Sequence, residues 1–68
     1  MEHKEITDAL KVGLYHTERA AERARILAKR NHDEGMHGIA ADWEAEAAAS
    51  TYVAEFISNA LIKLLKGD

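Results

Sequence analysis

His16, Arg19, Arg23 and Arg30 follow one another at spacings of three, four and seven residues. On a helix these spacings carry the side chains to one face. A guanidinium fork binds phosphate or carboxylate through two parallel hydrogen bonds, and a histidine beside an anion can protonate and add a donor. Val12 and Ile26 lie among these residues, Tyr15 stands at the edge of the stripe, and Trp43 offers a further aromatic surface. Aromatic groups next to cations can stack on a nucleobase. The candidate ligand-binding residues are therefore Tyr15, His16, Arg19, Arg23, Arg30 and Trp43. The chemistry they suit is recognition of a small anionic, nucleotide-like ligand or of an acidic face on a partner protein. The plainer account of the same residues is a solvated helix surface with arginine stems lying over their neighbours, or a contact between subunits.

A second cluster, His32, Asp33, Glu34 and His37, surrounds a short turn. Glu34-Gly35-Met36-His37 has the Glu-x-x-His spacing of carboxylate metal bundles. That chemistry needs both ligands on one helix, and Gly35 stands inside the motif where a helix is expected to break. The cluster reads as a polar hairpin turn, and neither a metal nor a cofactor is assigned. Ser50, Thr51 and Ser58 are the hydroxyls of the second half, and none has a local base. A catalytic pocket needs groups from several elements around a concavity, so the expectation is a protein that is not an enzyme.

Composition narrows the classes further. Sixty-eight residues make a single domain, 1–68. A chain this short buries only about 60% of its unfolded surface and usually gains stability from a disulfide, a metal or an oligomer. The absence of cysteine excludes disulfides, thiolate zinc sites and cysteine nucleophiles. A formal charge of −3 gives no global attraction to nucleic acid or anionic lipid. The first five residues, Met1 to Glu5, lack the apolar core of a signal peptide, and no apolar run approaches the roughly 20 residues that span a bilayer. A cytoplasmic protein without membrane association is expected.

The elements that must position these residues are two long helices. There is no proline, and good helix formers dominate. Periodicity predicts a helix over about 5–31, a turn over about 32–38 and a helix over about 39–66. On a wheel of about 100° steps, the inward face of the first helix gathers Ile6, Leu10, Gly13, Thr17, Ala20, Ala21, Ala24, Leu27 and Ala28. Gly13 and Thr17 are poor helix formers, so packing is the expected reason for them. In the second helix Ile39, Trp43, Ala47, Ser50, Ala54, Ile57, Leu61 and Leu64 recur as a heptad-like stripe. Tyr52, Val53, Phe56 and several alanines cover much of the rest. A helix apolar over most of its circumference is normally buried, and one antiparallel neighbour cannot cover it.

The fold class expected is all-α: an antiparallel helical hairpin associating into a four-helix bundle dimer or a higher helical oligomer. In length, hairpin layout and heptad pattern the chain resembles the small Rop-type RNA-binding regulators. The resemblance rests on layout alone and carries no functional residue across. It implies a dimeric bundle and, as one alternative function, RNA binding by the paired first helices, which Glu18 and Glu22 dilute. In size and style the chain is also similar to phage-encoded inhibitors that occupy a host protein or sequester a nucleotide signal. The function expected is a non-catalytic, homo-oligomeric binding module of that kind, with itself and either a small anionic ligand or a host protein as partners. Nucleic acid is not favoured. A metal-binding bundle built on the His/Asp/Glu turn is the other alternative.

Overall fold

The computed structural model describes residues 3–67; Met1, Glu2 and Asp68 lie outside the described residues. Helix α1 spans His3–Asp33 and helix α2 spans His37–Leu65. They form an all-helical antiparallel hairpin, a rod with Cα extents of 49 × 15 × 14 Å and no strand among the described residues. No helix among those residues is long and apolar enough to cross a membrane.

The turn is shorter than the sequence predicts. His32 and Asp33 continue α1, and His37 with Gly38 already belongs to α2. One residue makes this possible. Gly35 adopts φ +81°, a left-handed conformation that glycine reaches without a Cβ clash. Around it, Met36 N–H donates to Asn31 O at 2.8 Å and Gly35 N–H donates to His32 O at 3.0 Å. This is the paired C-terminal closure known as the Schellman motif, and it satisfies carbonyls that a bare helix end leaves open. The start of α2 has no side-chain cap and no acidic residue in its first turn. The first carboxylate of α2 is Asp42.

The two helices meet along a heptad seam. On α1 it runs Thr7, Leu10, Leu14, Thr17, Ala21, Ala24, Ala28 and Asn31. On α2 it runs Ala40, Trp43, Ala47, Ser50, Ala54, Ile57, Leu61 and Leu64. Every one of these residues is buried or half-buried. The fully buried apolar set is almost entirely alanine: Ala21, Ala24, Ala28, Ala40, Ala47 and Ala54, with Leu61 the one large side chain. Alanines repeating every seven residues let the backbones approach closely, and the interhelical contact is narrow. Two hydroxyls in or near the seam are satisfied locally: Thr7 Oγ1 donates to His3 O at 2.9 Å and Thr17 Oγ1 to Gly13 O at 2.6 Å. Among the described residues no buried side-chain polar atom lacks a partner.

This seam corrects the wheel reading in part. Ala20 is exposed, Ile6, Gly13 and Leu27 only flank the contact, and Thr7, Leu14 and Asn31 belong to it. On α2, Ile39 is 51% exposed while its neighbour Ala40 is fully buried. The cause is the mismatch between periods. A wheel at 3.6 residues per turn drifts about 20° per heptad from a 3.5-residue seam, enough over four heptads to exchange seam residues for flanking ones. Gly13 is likewise not demanded by the hairpin: a Cβ there would meet Ile57 Cδ1 at 3.5 Å, an ordinary contact.

A narrow alanine seam leaves the large apolar side chains outside. Tyr52 and Phe56 are each 72% exposed, and Val12, Ile26, Val53, Ile62 and Leu65 are also exposed.

Candidate arginine groove

The two flanks of the seam differ. On one flank α1 presents Lys11, Glu18 and Arg25, and α2 presents Glu44, Thr51 and Ser58. On the other, α1 presents Ile6, Gly13, Ala20 and Leu27, with Ala9, His16, Arg23 and Arg30 as the next row outward. The first flank is polar and mixed in sign. The second combines small or apolar residues with cations, and it holds an open groove between the helices.

That groove has a volume of about 780 Å³ and opens to solvent along its length. His16, Arg19, Arg23 and Arg30 line it from α1, and Trp43 and Glu46 line it from α2. Five of the six residues predicted from the sequence therefore share one concavity. Helix spacing accounts for the α1 residues. Trp43 joins them because its seam position directs the half-buried indole toward this flank.

Tyr15 is the exception. It is 57% exposed and does not line the groove. It holds a neighbour instead: the Arg19 guanidinium lies 5.5 Å from the Tyr15 ring centroid, and Arg19 Nη1 donates to Tyr15 Oη at 3.4 Å. The His16 ring packs edge-on against Tyr15 at 5.5 Å between centroids. Tyr15 thus positions Arg19 and His16 from outside the concavity.

Two carboxylates also line the groove, Glu22, which the sequence already sets among the arginines, and Glu46, which sequence reasoning missed. Heptad registration places Glu46 on the same flank, three residues after Trp43. Neither carboxylate closes on an arginine. Among the described residues the ion pairs are Lys4–Asp8 at 3.2 Å and, when His32 is protonated, His32–Glu44 at 3.4 Å. No described carboxylate lies within 4 Å of the Arg19, Arg23 or Arg30 guanidinium, while Arg19 keeps its contact with Tyr15 at the edge of the groove.

The charge is also divided between the helices. α1 carries seven lysines and arginines against five carboxylates, and α2 one lysine against four carboxylates.

The turn cluster is arranged differently from a metal site. Glu34 and His37 fall on opposite sides of the helix break, so the Glu-x-x-His spacing is not realised on one helix. His37 Nδ1 instead meets His32 Nδ1 at 2.8 Å, one of the two rings supplying the proton. Among the described residues no group of three or more histidines and carboxylates is placed to hold a metal ion. The hydroxyls of Ser50, Thr51 and Ser58 are likewise not hydrogen-bonded to any described histidine or carboxylate.

Comparison of the chain with protein-family models, with curated proteins and with solved structures finds no match.

Proposed function

We propose that this chain is a non-catalytic, homo-oligomeric binding module that holds a small phosphate-bearing anion in the arginine groove. In this reading two or more hairpins associate into a helical bundle, and the module acts by sequestering its ligand. The observation that carries the proposal is the convergence of Arg19, Arg23, Arg30 and His16 beside Trp43 in one groove, with no described carboxylate paired to the guanidiniums. Successive helical positions place Arg19 and Arg23 about 6 Å apart along the axis and Arg23 and Arg30 about 10.5 Å apart. Such a ladder matches an extended anion better than a single carboxylate. Trp43 supplies a flat apolar wall for a base or a sugar.

Trp43 is the single tryptophan of the chain and lines the groove, so its fluorescence reports occupancy directly. Titration of the wild-type chain with ATP, followed by Trp43 emission and by calorimetry, should give saturable binding. Charge-assisted hydrogen bonds contribute about 1.5–3 kcal/mol each. Discounting for solvent in an open groove leaves roughly a tenfold loss of affinity for each of Arg23→Ala and Arg30→Ala. Unchanged affinity in the double variant, or no saturable binding by wild type, would remove the basis of the proposal.

A further inference from the structure

The flank that carries the arginine groove also leaves Ile39, Val53 and Phe56 of α2 exposed, and the outer row of α2 on it is self-complementary. We infer that a second copy of this chain covers it, in an antiparallel two-fold arrangement with α2 against α2. The inference rests on the reading of the chain as a homo-oligomer and specifies the face and the orientation.

Three observations support it. The first is area. A compact monomer of 7.5 kDa exposes about 4,250 Å², whereas this hairpin exposes 5193 Å². The excess of about 900 Å² is close to the roughly 800 Å² that each partner buries in a standard stable interface.

The second is the outer row of α2 on this flank: Asp42, Ala49, Phe56 and Lys63, spaced by seven residues and all exposed. Read in reverse, the row complements itself. An antiparallel second copy brings Lys63 of one chain opposite Asp42 of the other, and the exposed Phe56 ring opposite the small Ala49, twice by symmetry. A two-fold interface requires this reciprocity, residue i meeting j and j meeting i. A parallel copy would instead set Asp42 against Asp42 and Phe56 against Phe56. Val53, 46% exposed on the adjacent row, comes close to the two-fold axis in the antiparallel arrangement.

The third is Gly13, on the same flank of α1. A glycine inside a helix costs about 1 kcal/mol relative to alanine, and the hairpin has room for its Cβ. Close approach of a second backbone accounts for a residue that one chain alone does not require. The same operation sets the two arginine grooves toward opposite ends of the assembly, each beside the C-terminal half of the other copy's α2, so assembly shapes the ligand site.

The test uses the absence of cysteine from the chain. Val53→Cys and, on the opposite flank, Glu55→Cys are each treated with a short bismaleimide, beside sedimentation equilibrium of the untreated chains. Both positions are exposed, and circular dichroism checks that helicity is unchanged. The inference expects cross-linked dimer from Val53→Cys and little from Glu55→Cys. In low salt, Asp42→Lys should weaken dimerisation about tenfold, and Asp42→Lys with Lys63→Asp should restore it to within about threefold of wild type, because only the antiparallel arrangement pairs those two positions. A sedimenting dimer that cross-links through Glu55→Cys and not Val53→Cys, or that the double exchange fails to restore, overturns the inference and leaves the homo-oligomer reading standing. A monomer at all concentrations overturns both.

Discussion

Leu61→Ala should destabilise the hairpin by about 2–3 kcal/mol, and Leu65→Ala, one turn later on the same helix, by less than about 1 kcal/mol. Leu61 is 7% exposed and is the one large side chain among the fully buried residues; Leu65 is 65% exposed. Burying a leucine fully contributes about 1.5–3 kcal/mol, and truncation to alanine adds a term for the cavity left behind. That added term should be small here. Two helices with an alanine seam can close on a void more readily than a multilayer core, and Leu61 lies toward the open end of the hairpin. Leu65 retains only about a third of its burial, which scales its contribution to about 1 kcal/mol or less. A 68-residue domain has roughly 3–10 kcal/mol of total stability, so the first change should move the urea midpoint visibly. The assay is urea unfolding followed by helical circular dichroism, at one fixed protein concentration because self-association would otherwise enter the midpoint. Equal losses for the two leucines would refute the seam register from which the whole site is built.

Other perturbations test separate parts of the account. Ala47→Leu overpacks the alanine seam, where Ala47 is buried, and should lower stability by about 1–3 kcal/mol in the same urea assay. Gly35→Ala forces a side chain into φ +81° and should lower stability by about 1 kcal/mol, while Gly38→Ala in the first turn of α2, with open space at its Cβ, should raise it by about 0.5–1 kcal/mol; thermal melts distinguish the two signs. ATP affinity measured by Trp43 fluorescence should weaken markedly between 50 mM and 500 mM NaCl, because the guanidiniums are solvent-facing and screened. Salt-independent binding would point to contacts other than the arginines.

The parts of the structure legible in the sequence are those in which one residue type had one physical use. Gly35 announced the turn, because a long helix followed by a glycine and a second helical pattern leaves little else for it to do. Its width was misread because His32, Asp33 and His37 look like turn residues by type, whereas the Schellman bonds around Gly35 close the helix without them. The seam of α2 was legible from Trp43 onward, where aromatic and aliphatic residues mark every heptad. On α1 it was blurred, since Thr7 and Asn31 are polar and small residues fill several neighbouring rows. The arginine groove was legible because guanidiniums at helical spacing share a face whatever the exact register. Tyr15 was displaced from it by less than one helical step, and of the two groove carboxylates, Glu22 and Glu46, the second was overlooked because a carboxylate lining an anion groove contradicts the simplest electrostatic expectation. They remain close enough to temper the field and far enough to leave the guanidinium forks open.

The central claim, a self-associating module with an anion-binding groove, is tested most directly by native mass spectrometry of the full chain with and without inorganic triphosphate. The account predicts an even-numbered assembly that retains triphosphate, with retention lost in the Arg23→Ala, Arg30→Ala chain. A monomer that carries no triphosphate would contradict it.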